Sequence, residues 1–411
     1  MSIPTPSYRQ VLRLPGVANL LLAACWSRLA GGMFSLAIIL YTLGRFDSPV
    51  LAGWVSFMSM APGMLVSPLA GALLDRMGAA RAITIDLAVG ATVLTGLVLV
   101  HAADALTPAL LLVLVACYSL TRPLGSAGIR TLIPRLVPEH ARDRANALDT
   151  SSYALVDVLG PVLAGLLLGF AGASVTLVAI VVLYVAAALS LLPVIGREPA
   201  PTIKQSSRLI DEAVAGLLYV LRHRSLRGLA ASYSLYQMSV GILLVVVPVA
   251  VTREIESRST ADSIVGLMWA LSGIAGSLGA LYAGHIKVID RERWFIAWGT
   301  LATAIAIYPL GAYLGLLGLG LGLAIIGLLS GPIDVGVLTL RQRRTDPAWL
   351  GRALAVSMSL NMCGLPIGAA LGGMLVTHSL PLTLAVAAAV SVLSAIAIQS
   401  LVPARPEEPS T

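Results

Sequence analysis

Four of the charged residues lie within long apolar stretches of the sequence: Arg28, Arg122, Asp157 and Asp334. A charge near the middle of a bilayer is costly, so it normally faces a partner, a water-filled cavity or a ligand. A carboxylate in that setting can take up and release a proton, whereas a guanidinium group can bind an anionic group. We therefore predict that Asp157 and Asp334 carry protons, and that Arg28 and Arg122 contact a ligand.

Structural roles are the alternative for some of these charges. Arg28 and Asp157 lie at similar predicted depths in two apolar runs, so they could form an ion pair instead. Asp86 lies only one turn inside its own run, and we predict that it is a structural charge at the membrane interface.

A further group of candidates combines aromatic and amide side chains. Tyr233 and Gln237 are four residues apart and therefore share one face of a helix, with Tyr236 beside them. Such a face suits an amphipathic ligand, and anchoring at the membrane interface is the alternative role for the tyrosines. Asn361 is another candidate for the lining of a ligand cavity.

The sequence lacks the residue patterns of an enzyme or a metalloprotein. Its histidines fall in or beside loops that are far apart, and Cys25, Cys117 and Cys363 lie in separate apolar runs. It has no glycine-rich loop that ends in lysine and serine or threonine, so direct coupling to ATP is not expected. We predict no catalytic activity, no cofactor and no metal.

Membrane-spanning helices must position these candidates. Of the 411 residues, 57% are apolar and 11% are charged, whereas a soluble domain carries roughly 25% charged residues. Runs of roughly 20 apolar residues, the length needed to span a bilayer, predict twelve helices. They lie near 17–42, 50–74, 82–101, 107–129, 146–170, 173–193, 226–251, 263–286, 294–313, 315–339, 354–376 and 381–402.

The charges in the loops predict the orientation of these helices. If the N-terminus is cytoplasmic, the basic residues concentrate in the cytoplasmic loops, and the opposite loops hold only Arg45, Arg253 and Arg258. This asymmetry is the usual one. We therefore predict a multi-pass protein of the cytoplasmic (inner) membrane with both termini inside. The loops account for the net charge of +7, and nucleic acid is not expected as a partner.

A polar stretch divides the chain into two halves of similar size. Residues 196–224 are predicted to be a cytoplasmic linker between an N-terminal six-helix bundle, 1–195, and a C-terminal six-helix bundle, 225–411, with a short cytoplasmic tail. The bilayer is the expected environment, and we expect a monomer.

The two halves also resemble each other weakly. Helix five contains Gly160 followed by Pro161, and helix eleven contains Gly364 followed two residues later by Pro366. The two prolines lie 205 residues apart, which is about half of the chain. Repeated halves around a central path are a common design among transporters.

The strongest local motif follows the second predicted helix. It reads Gly71-Ala72-Leu73-Leu74-Asp75-Arg76-Met77-Gly78-Ala79-Ala80-Arg81. This segment is similar to the loop motif of the major facilitator superfamily, in which a glycine precedes aspartate, arginine, a second glycine and basic residues. Ala79 and Ala80 depart from that pattern, and Arg81 restores one charge. The resemblance covers essentially the whole chain and implies an all-α membrane protein with twelve transmembrane helices in two pseudo-symmetric six-helix bundles.

The resemblance also implies a gating role for this loop. In the family, the aspartate locks against the start of helix eleven, which makes Arg352 the candidate partner of Asp75. A degenerate copy of the loop in the second half carries Asp290, whose candidate partner is Arg144. A solvated turn that carries topogenic charge is the alternative for both loops.

A second family motif lies in helix five. The segment Gly160-Pro161-Val162-Leu163-Ala164-Gly165 is similar to the antiporter motif of drug exporters in the same superfamily, with Val156 in place of an upstream glycine. Small residues let helices pack closely and proline bends a helix, so packing alone is the alternative explanation. The motif favours export.

Taken with the family resemblance, these features predict a secondary active transporter. The chain most resembles bacterial drug exporters, which implies alternating access, proton antiport and a drug-like or amphipathic cargo. In this family, helices one, four, seven and ten line the central cavity, and Arg28, Arg122 and Asp334 lie on three of them. Uptake of an anionic metabolite, with Arg28 and Arg122 as a clamp, is the main alternative. A lipid flippase and a non-transporting membrane sensor are two others.

Overall fold

The computed structural model describes residues 7–196, 207–283, 291–346 and 349–403. Within these ranges every regular element is helical, including a 3₁₀ turn at Glu139–Ala141 and a π turn at Ala306–Leu310.

The α-helices follow one another with short connections. Those of the first half are α1 (Tyr8–Leu12), α2 (Val17–Phe46), α3 (Pro49–Met58), α4 (Ala61–Met77), α5 (Ala79–Ala102), α6 (Pro108–Leu136) and α7 (Arg142–Ile195). Those of the second half are α8 (Ser207–Arg222), α9 (Arg224–Glu254), α10 (Arg258–Ala283), α11 (Glu292–Ile305), α12 (Gly311–Tyr313), α13 (Gly315–Arg344), α14 (Leu350–Met362), α15 (Gly364–Leu375) and α16 (Leu380–Leu401).

Eleven segments in the described ranges are long and apolar enough to cross a membrane. One of them includes α7, whose 54 residues would extend about 80 Å at about 1.5 Å per residue. The hydrocarbon core of a bilayer is only about 30 Å thick. At Gly172 the backbone leaves the helical region, with φ of 81° and ψ of 178°. Because α7 is broken there, it supplies two crossings, and the predicted total of twelve spanning helices is confirmed.

The connection between α4 and α5 consists of one residue. Gly78 has φ of 87° and ψ of 151°, a backbone conformation that side chains with a Cβ disfavour. This glycine therefore permits the chain to reverse direction directly after Arg76 and Met77, within the loop motif described above.

The chain divides into two compact units. Unit 1 contains Met1–Ala37 and Met58–Leu209, and unit 2 contains Ile38–Phe57 and Ile210–Thr411. The end of α2 and most of α3 therefore group with unit 2, whereas the division made from the sequence places them in the N-terminal bundle. In unit 1, α5 packs against α6 and α7, and α4 packs against α6.

In unit 2, α9 packs against both α15 and α16, and α13 packs against α10 and α11. The predicted linker contains helix α8, whose Val220 is buried with Leu226 of α9. The ring of Tyr219 stacks on that of Trp349 at a centroid distance of 4.9 Å, so this end of α8 is attached to unit 2.

Glycines allow α15 to lie directly on α9. Gly364, Gly368 and Gly372 are spaced four residues apart, so they share one face of α15. A Cβ on Gly364 would overlap the backbone carbonyl oxygen of Ser234, and a Cβ on Gly368 would overlap that of Met238. Close helix contact through small residues is typical of membrane proteins.

Candidate functional site

Arg28 forms a buried ion pair between α2 and α7. Its guanidinium group donates to Oδ1 of Asp149 at 2.7 Å, to the carbonyl oxygen of Asp149 at 3.1 Å and to the hydroxyl of Ser152. The group also lies over the ring of Tyr153, 3.7 Å from its centroid. The Arg28 side chain is thus bound by Asp149, Ser152 and Tyr153, which all belong to the same unit.

The proposed pairing of Arg28 with Asp157 is therefore wrong. The actual partner, Asp149, lies eight residues earlier in α7, a little over two helical turns. Asp149 could have been recognised in the sequence as an alternative partner, because residues eight apart in a helix lie on the same side of it. Either aspartate could therefore meet Arg28. Only the packing of α2 against α7 decides between them.

Arg122 of α6 lies in a polar cluster to which α5 and α7 also contribute. Its Nη1 donates to the hydroxyl of Tyr184 at 3.0 Å and lies 3.7 Å from Oδ2 of Asp86. The hydroxyls of Tyr118 and Tyr184 are 2.5 Å apart, and Thr121 donates to Asp86 at 3.0 Å. We call these five residues the Arg122 cluster.

The two charges of the Arg122 cluster differ in their exposure. The Arg122 side chain is 32% exposed, whereas that of Asp86 is 3% exposed. For comparison, the Arg28 side chain is 8% exposed. Asp86, predicted to be a structural charge at the membrane interface, is enclosed within unit 1. Arg122 is therefore the more exposed of the two arginines.

Glycines make room for both charges. A Cβ on Gly125 would overlap the Asp86 carboxylate, and a Cβ on Gly31 would lie 2.7 Å from Nη2 of Arg122. Neither glycine was recognised as significant in the sequence, because nothing local distinguishes it from the other glycines of an apolar run. The requirement arises from α2, α5 and α6 coming together.

Asp157 is an exposed carboxylate on the first half of α7. It lies 15 residues after Arg142, or about 22 Å along the helix at about 1.5 Å per residue. Among the residues that the structure describes, it makes no hydrogen bond or ion pair. Its role as a proton carrier stays a prediction.

Asp334 of α13 has a tyrosine partner. The hydroxyl of Tyr233 donates to Oδ1 of Asp334 at 2.5 Å, and the rings of Tyr233 and Tyr236 are 5.7 Å apart. Both tyrosines belong to the buried core of unit 2, so they are not interfacial anchors. The sequence suggested the two tyrosines and Asp334 separately, and the packing of α9 against α13 brings Asp334 to them.

A buried arginine near this group was missed in the sequence. Arg341 lies seven residues after Asp334, two turns further along α13, and is 2% exposed. Its Nε and Nη2 atoms have no hydrogen-bond partner within the described ranges. The helix predicted near 315–339 ends before Arg341, so the sequence placed this residue in the following cytoplasmic loop. In the structure α13 extends to Arg344, and Arg341 is one of its buried residues.

The two amide candidates lie on neighbouring helices of unit 2. Nε2 of Gln237 on α9 contacts Sδ of Met362 on α14 at 3.5 Å. Asn361 precedes Met362 and is buried, and its Oδ1 accepts no hydrogen bond from the part of the chain that the structure describes.

The gating residues are only partly described. Arg76 and Arg81 are exposed at the ends of α4 and α5. Arg144 lies near the ring of Tyr8, at 5.2 Å. Asp290, the side chains of Asp75 and Arg352 and the burial of Gly71 lie outside what the structure describes, so the two gating pairs stay predictions.

The helix-five motif lies at a close contact between two helices of unit 1. A Cβ on Gly160 of α7 would lie 3.0 Å from the carbonyl carbon of Gly32 and 3.1 Å from its Cα. Pro161 lies inside α7 and Gly165 is buried. The motif thus packs α7 against α2, close to Asp157.

Comparisons with known proteins agree with this architecture. The sequence matches the family model described as the Major Facilitator Superfamily over residues 20–286 and 229–411. The solved structure of the nucleoside transporter NupG superposes with a TM-score of 0.73 at 16% identity, covering 94% of this chain and 98% of NupG. At that identity the likeness establishes the fold alone.

Two sequence relatives are also informative. An uncharacterized MFS-type transporter, y4rN of Sinorhizobium fredii, is 47% identical over 397 residues, which are 97% of each protein. The enterobactin exporter EntS of Shigella boydii is 26% identical over 256 residues, which are 61% of this chain and 58% of the exporter. The family model and the first relative both cover most of the sequence, and this integral membrane protein therefore belongs to the major facilitator superfamily of transporters.

Proposed function

We propose that this chain exports a small amphipathic compound that carries an anionic group, in exchange for protons. The observation that carries the proposal is the Arg122 cluster, in which a partly exposed guanidinium group lies among tyrosines. The direction of transport is supported by the likeness to EntS, which is named as an exporter, and by the helix-five motif.

The geometry of Arg122 suits a ligand better than that of Arg28. A guanidinium group has five N–H donors, and within the described ranges Arg122 makes one hydrogen bond, to Tyr184. Its counter-ion Asp86 is 3.7 Å away, compared with 2.7 Å between Arg28 and Asp149. The remaining donors of Arg122 can therefore bind an anionic group of the cargo, and the neighbouring tyrosines suit its aromatic or apolar part.

The enclosure of Arg28 weakens the alternative in which Arg28 and Arg122 clamp an anionic metabolite during uptake. A clamp made of Arg28 and Arg122 needs two available guanidinium groups, but Arg28 is enclosed and bound by Asp149 and Ser152. The proposed anion contact therefore consists of Arg122 with Tyr184 and Tyr118.

Transport of dyes of different charge tests the proposal. Inside-out vesicles with a proton gradient would be given fluorescein, a neutral coumarin or ethidium, which differ in charge. We expect the vesicles to accumulate the anionic dye and to release it when the gradient collapses. Depletion of the dye from the vesicles would establish uptake, and no movement of any dye would favour a sensor or a flippase.

Substitution of Arg122 should change selectivity in these vesicles. Loss of a hydrogen bond to a charged group costs about 1.5–3 kcal/mol, so Arg122→Gln is expected to raise the KM for fluorescein about tenfold to a hundredfold. Arg122→Lys, which keeps the charge without the planar fork, should have a smaller effect. An equal loss for all three dyes would contradict a specific anion contact.

Substitution of the two membrane carboxylates should separate transport from coupling. Asp157→Asn or Asp334→Asn removes a group that can bind a proton, so accumulation of dye against its gradient should stop while exchange of dye for dye continues. Asp104→Asn, in a loop between α5 and α6, is the control and should couple normally. Full proton-driven accumulation in both span variants would eliminate these residues as proton carriers.

A further inference from the structure

Helix α8, which precedes the spanning helix α9, carries an apolar stripe that the residues described by the structure leave partly uncovered. Val214, Leu218 and Leu221 follow one another at spacings of four and three residues, so they share one face of α8. Their side chains are 48%, 44% and 43% exposed, whereas Val220 is fully buried. A stripe of this kind is typical of a helix that contacts lipid or another protein.

The contacts of α8 place its last turn at the level where two spanning segments begin. Val220 is buried with Leu226, which lies in the first turn of α9. Val356 and Leu360 pack against this pair, and the spanning segment Val356–Leu375 begins at the first of them. Spanning segments begin at the edge of the hydrocarbon core. The end of α8 therefore lies at a membrane surface, and the loop charges predict that this surface is the cytoplasmic one.

Further contacts hold α8 in this position. The ring of Tyr219 stacks on that of Trp349 with an interplanar angle of 4°, and its hydroxyl accepts a hydrogen bond from the backbone N–H of Asp346 at 3.3 Å. Trp349 and Asp346 belong to the connection between α13 and α14. Because α8 is already ordered by these contacts, little conformational entropy is lost when its stripe enters lipid.

Three exposed arginines lie beside the C-terminal end of the stripe. Arg222 follows Leu221 directly, Arg224 begins α9, and Arg227 lies almost one turn further along α9. Nη1 of Arg227 donates to the carbonyl oxygen of Leu221 at 3.4 Å, so this guanidinium group lies at the end of α8. The sequence from 213 to 253 contains no aspartate or glutamate. This end of the stripe is therefore positively charged, and the anionic lipids of the cytoplasmic leaflet attract such a group.

We propose that α8 is an interfacial helix that binds anionic phospholipid of the cytoplasmic leaflet. Its apolar stripe lies among the first carbons of the acyl chains, and Arg222, Arg224 and Arg227 contact the phosphates. An apolar stripe bordered by arginines is the combination that holds an amphipathic helix in the headgroup layer. A lipid surface is favoured over a protein partner because the end of α8 lies at the level where spanning segments begin.

A fluorescent probe at residue 218 tests the contact. The full-length chain, with Cys25, Cys117 and Cys363 replaced by alanine, would carry the variant Leu218→Cys labelled with NBD and be reconstituted into phosphatidylcholine vesicles. Interfacial helices bury their apolar face about 5–10 Å into the headgroup and acyl boundary. We therefore expect acyl chains brominated near the headgroup to quench the probe more strongly than chains brominated near the methyl end.

Two other labelled positions calibrate the probe. Glu256→Cys lies in the exposed connection between α9 and α10, so aqueous iodide should quench it and brominated chains should not. Val182→Cys lies on an exposed face within the second crossing of α7. Chains brominated near the methyl end should quench this position most strongly.

Phosphatidylglycerol tests the role of the arginines. Its addition should raise the ratio of lipid-bound to iodide-accessible probe about fivefold for each arginine that contacts it. Arg222→Gln/Arg227→Gln should lose most of this rise, whereas Arg9→Gln, at an exposed arginine of α1, should retain it. Val214→Asn/Leu221→Asn keeps the charges and should lower the ratio in both lipids.

Three results would overturn the proposal. Iodide quenching at residue 218 as strong as that at residue 256 would show that the stripe lies in water. Protection from iodide without quenching by brominated chains would show that protein covers the stripe, either another part of this chain or a second copy. An equal ratio in the two lipids, or a preference that persists in Arg222→Gln/Arg227→Gln, would remove the anionic headgroup.

Discussion

Replacing Asp149 with leucine is expected to destabilise the protein by about 3–5 kcal/mol, because it leaves the Arg28 guanidinium group buried without its counter-ion. The pair is enclosed, with the two side chains 8% and 9% exposed, so water cannot replace the lost carboxylate. The measurement is the free energy of unfolding in mixed micelles, with the melting temperature as a second readout.

The double variant Arg28→Met/Asp149→Leu is the matched control. Replacing both members of a buried ion pair with apolar residues of similar size is often neutral or stabilising, so this variant should recover most of the lost stability. If it is as unstable as Asp149→Leu, the damage does not come from an unpaired charge. If the free energy of unfolding of Asp149→Leu equals that of the unsubstituted protein, Arg28 is not buried as described.

The double variant also separates structure from function at Arg28. If Arg28 serves only to join α2 to α7, the recovered protein should export fluorescein at its normal rate. If Arg28 also contacts the cargo, stability should return without transport. The same dye assay that tests Arg122 therefore decides whether the sequence-based prediction of a ligand contact at Arg28 is correct.

The second large effect is expected at the contact between α9 and α15. Gly368→Ala places a methyl group where the carbonyl oxygen of Met238 lies, and this oxygen belongs to helix backbone that cannot rotate away. Overpacking of this kind costs typically about 1–3 kcal/mol. The double variant Gly364→Ala/Gly368→Ala adds the overlap with Ser234 one turn away, so we expect a larger loss of stability and of transport.

Gly96→Ala is the control for this prediction. Gly96 lies within α5, and a Cβ there would have nothing within 4 Å. Alanine favours a helix over glycine by about 0.8–1.0 kcal/mol, so this variant should be as stable as the unsubstituted protein or slightly more stable. Equal changes in stability at Gly96 and Gly368 would show that the contact between α9 and α15 tolerates the added methyl group, which would contradict the prediction.

Most of the fold could be predicted because its signals are local. Each apolar run of about 20 residues must cross the bilayer as a helix, since no other open structure satisfies the backbone there. The break at Gly172, which divides α7 into two crossings, falls between two runs that were predicted as separate helices. The loop motif around Asp75 then indicated the family, and the family model matches the chain.

The candidate site was less predictable. Arg28, Arg122, Tyr233 and Asp334 could be found because a polar group in an apolar run is conspicuous. Their partners could not be assigned, since Asp86, Asp149 and Tyr184 lie 36, 121 and 62 residues away from the arginines that they meet. Arg341 was missed because the predicted helix ends at residue 339, whereas α13 extends to Arg344.

The sequence by itself therefore determined the number of crossings, the expected orientation and the family, because bilayer thickness and loop charge act on each segment separately. Only the tertiary structure decided which arginine is enclosed with its counter-ion and which one stays partly exposed. Arg28 and Arg122 look alike in the sequence, but helix packing encloses one with Asp149 and leaves the other partly exposed beside Asp86. The physical reason is that a helix fixes which residues share a face, whereas the rotation and neighbours of that face depend on the other helices.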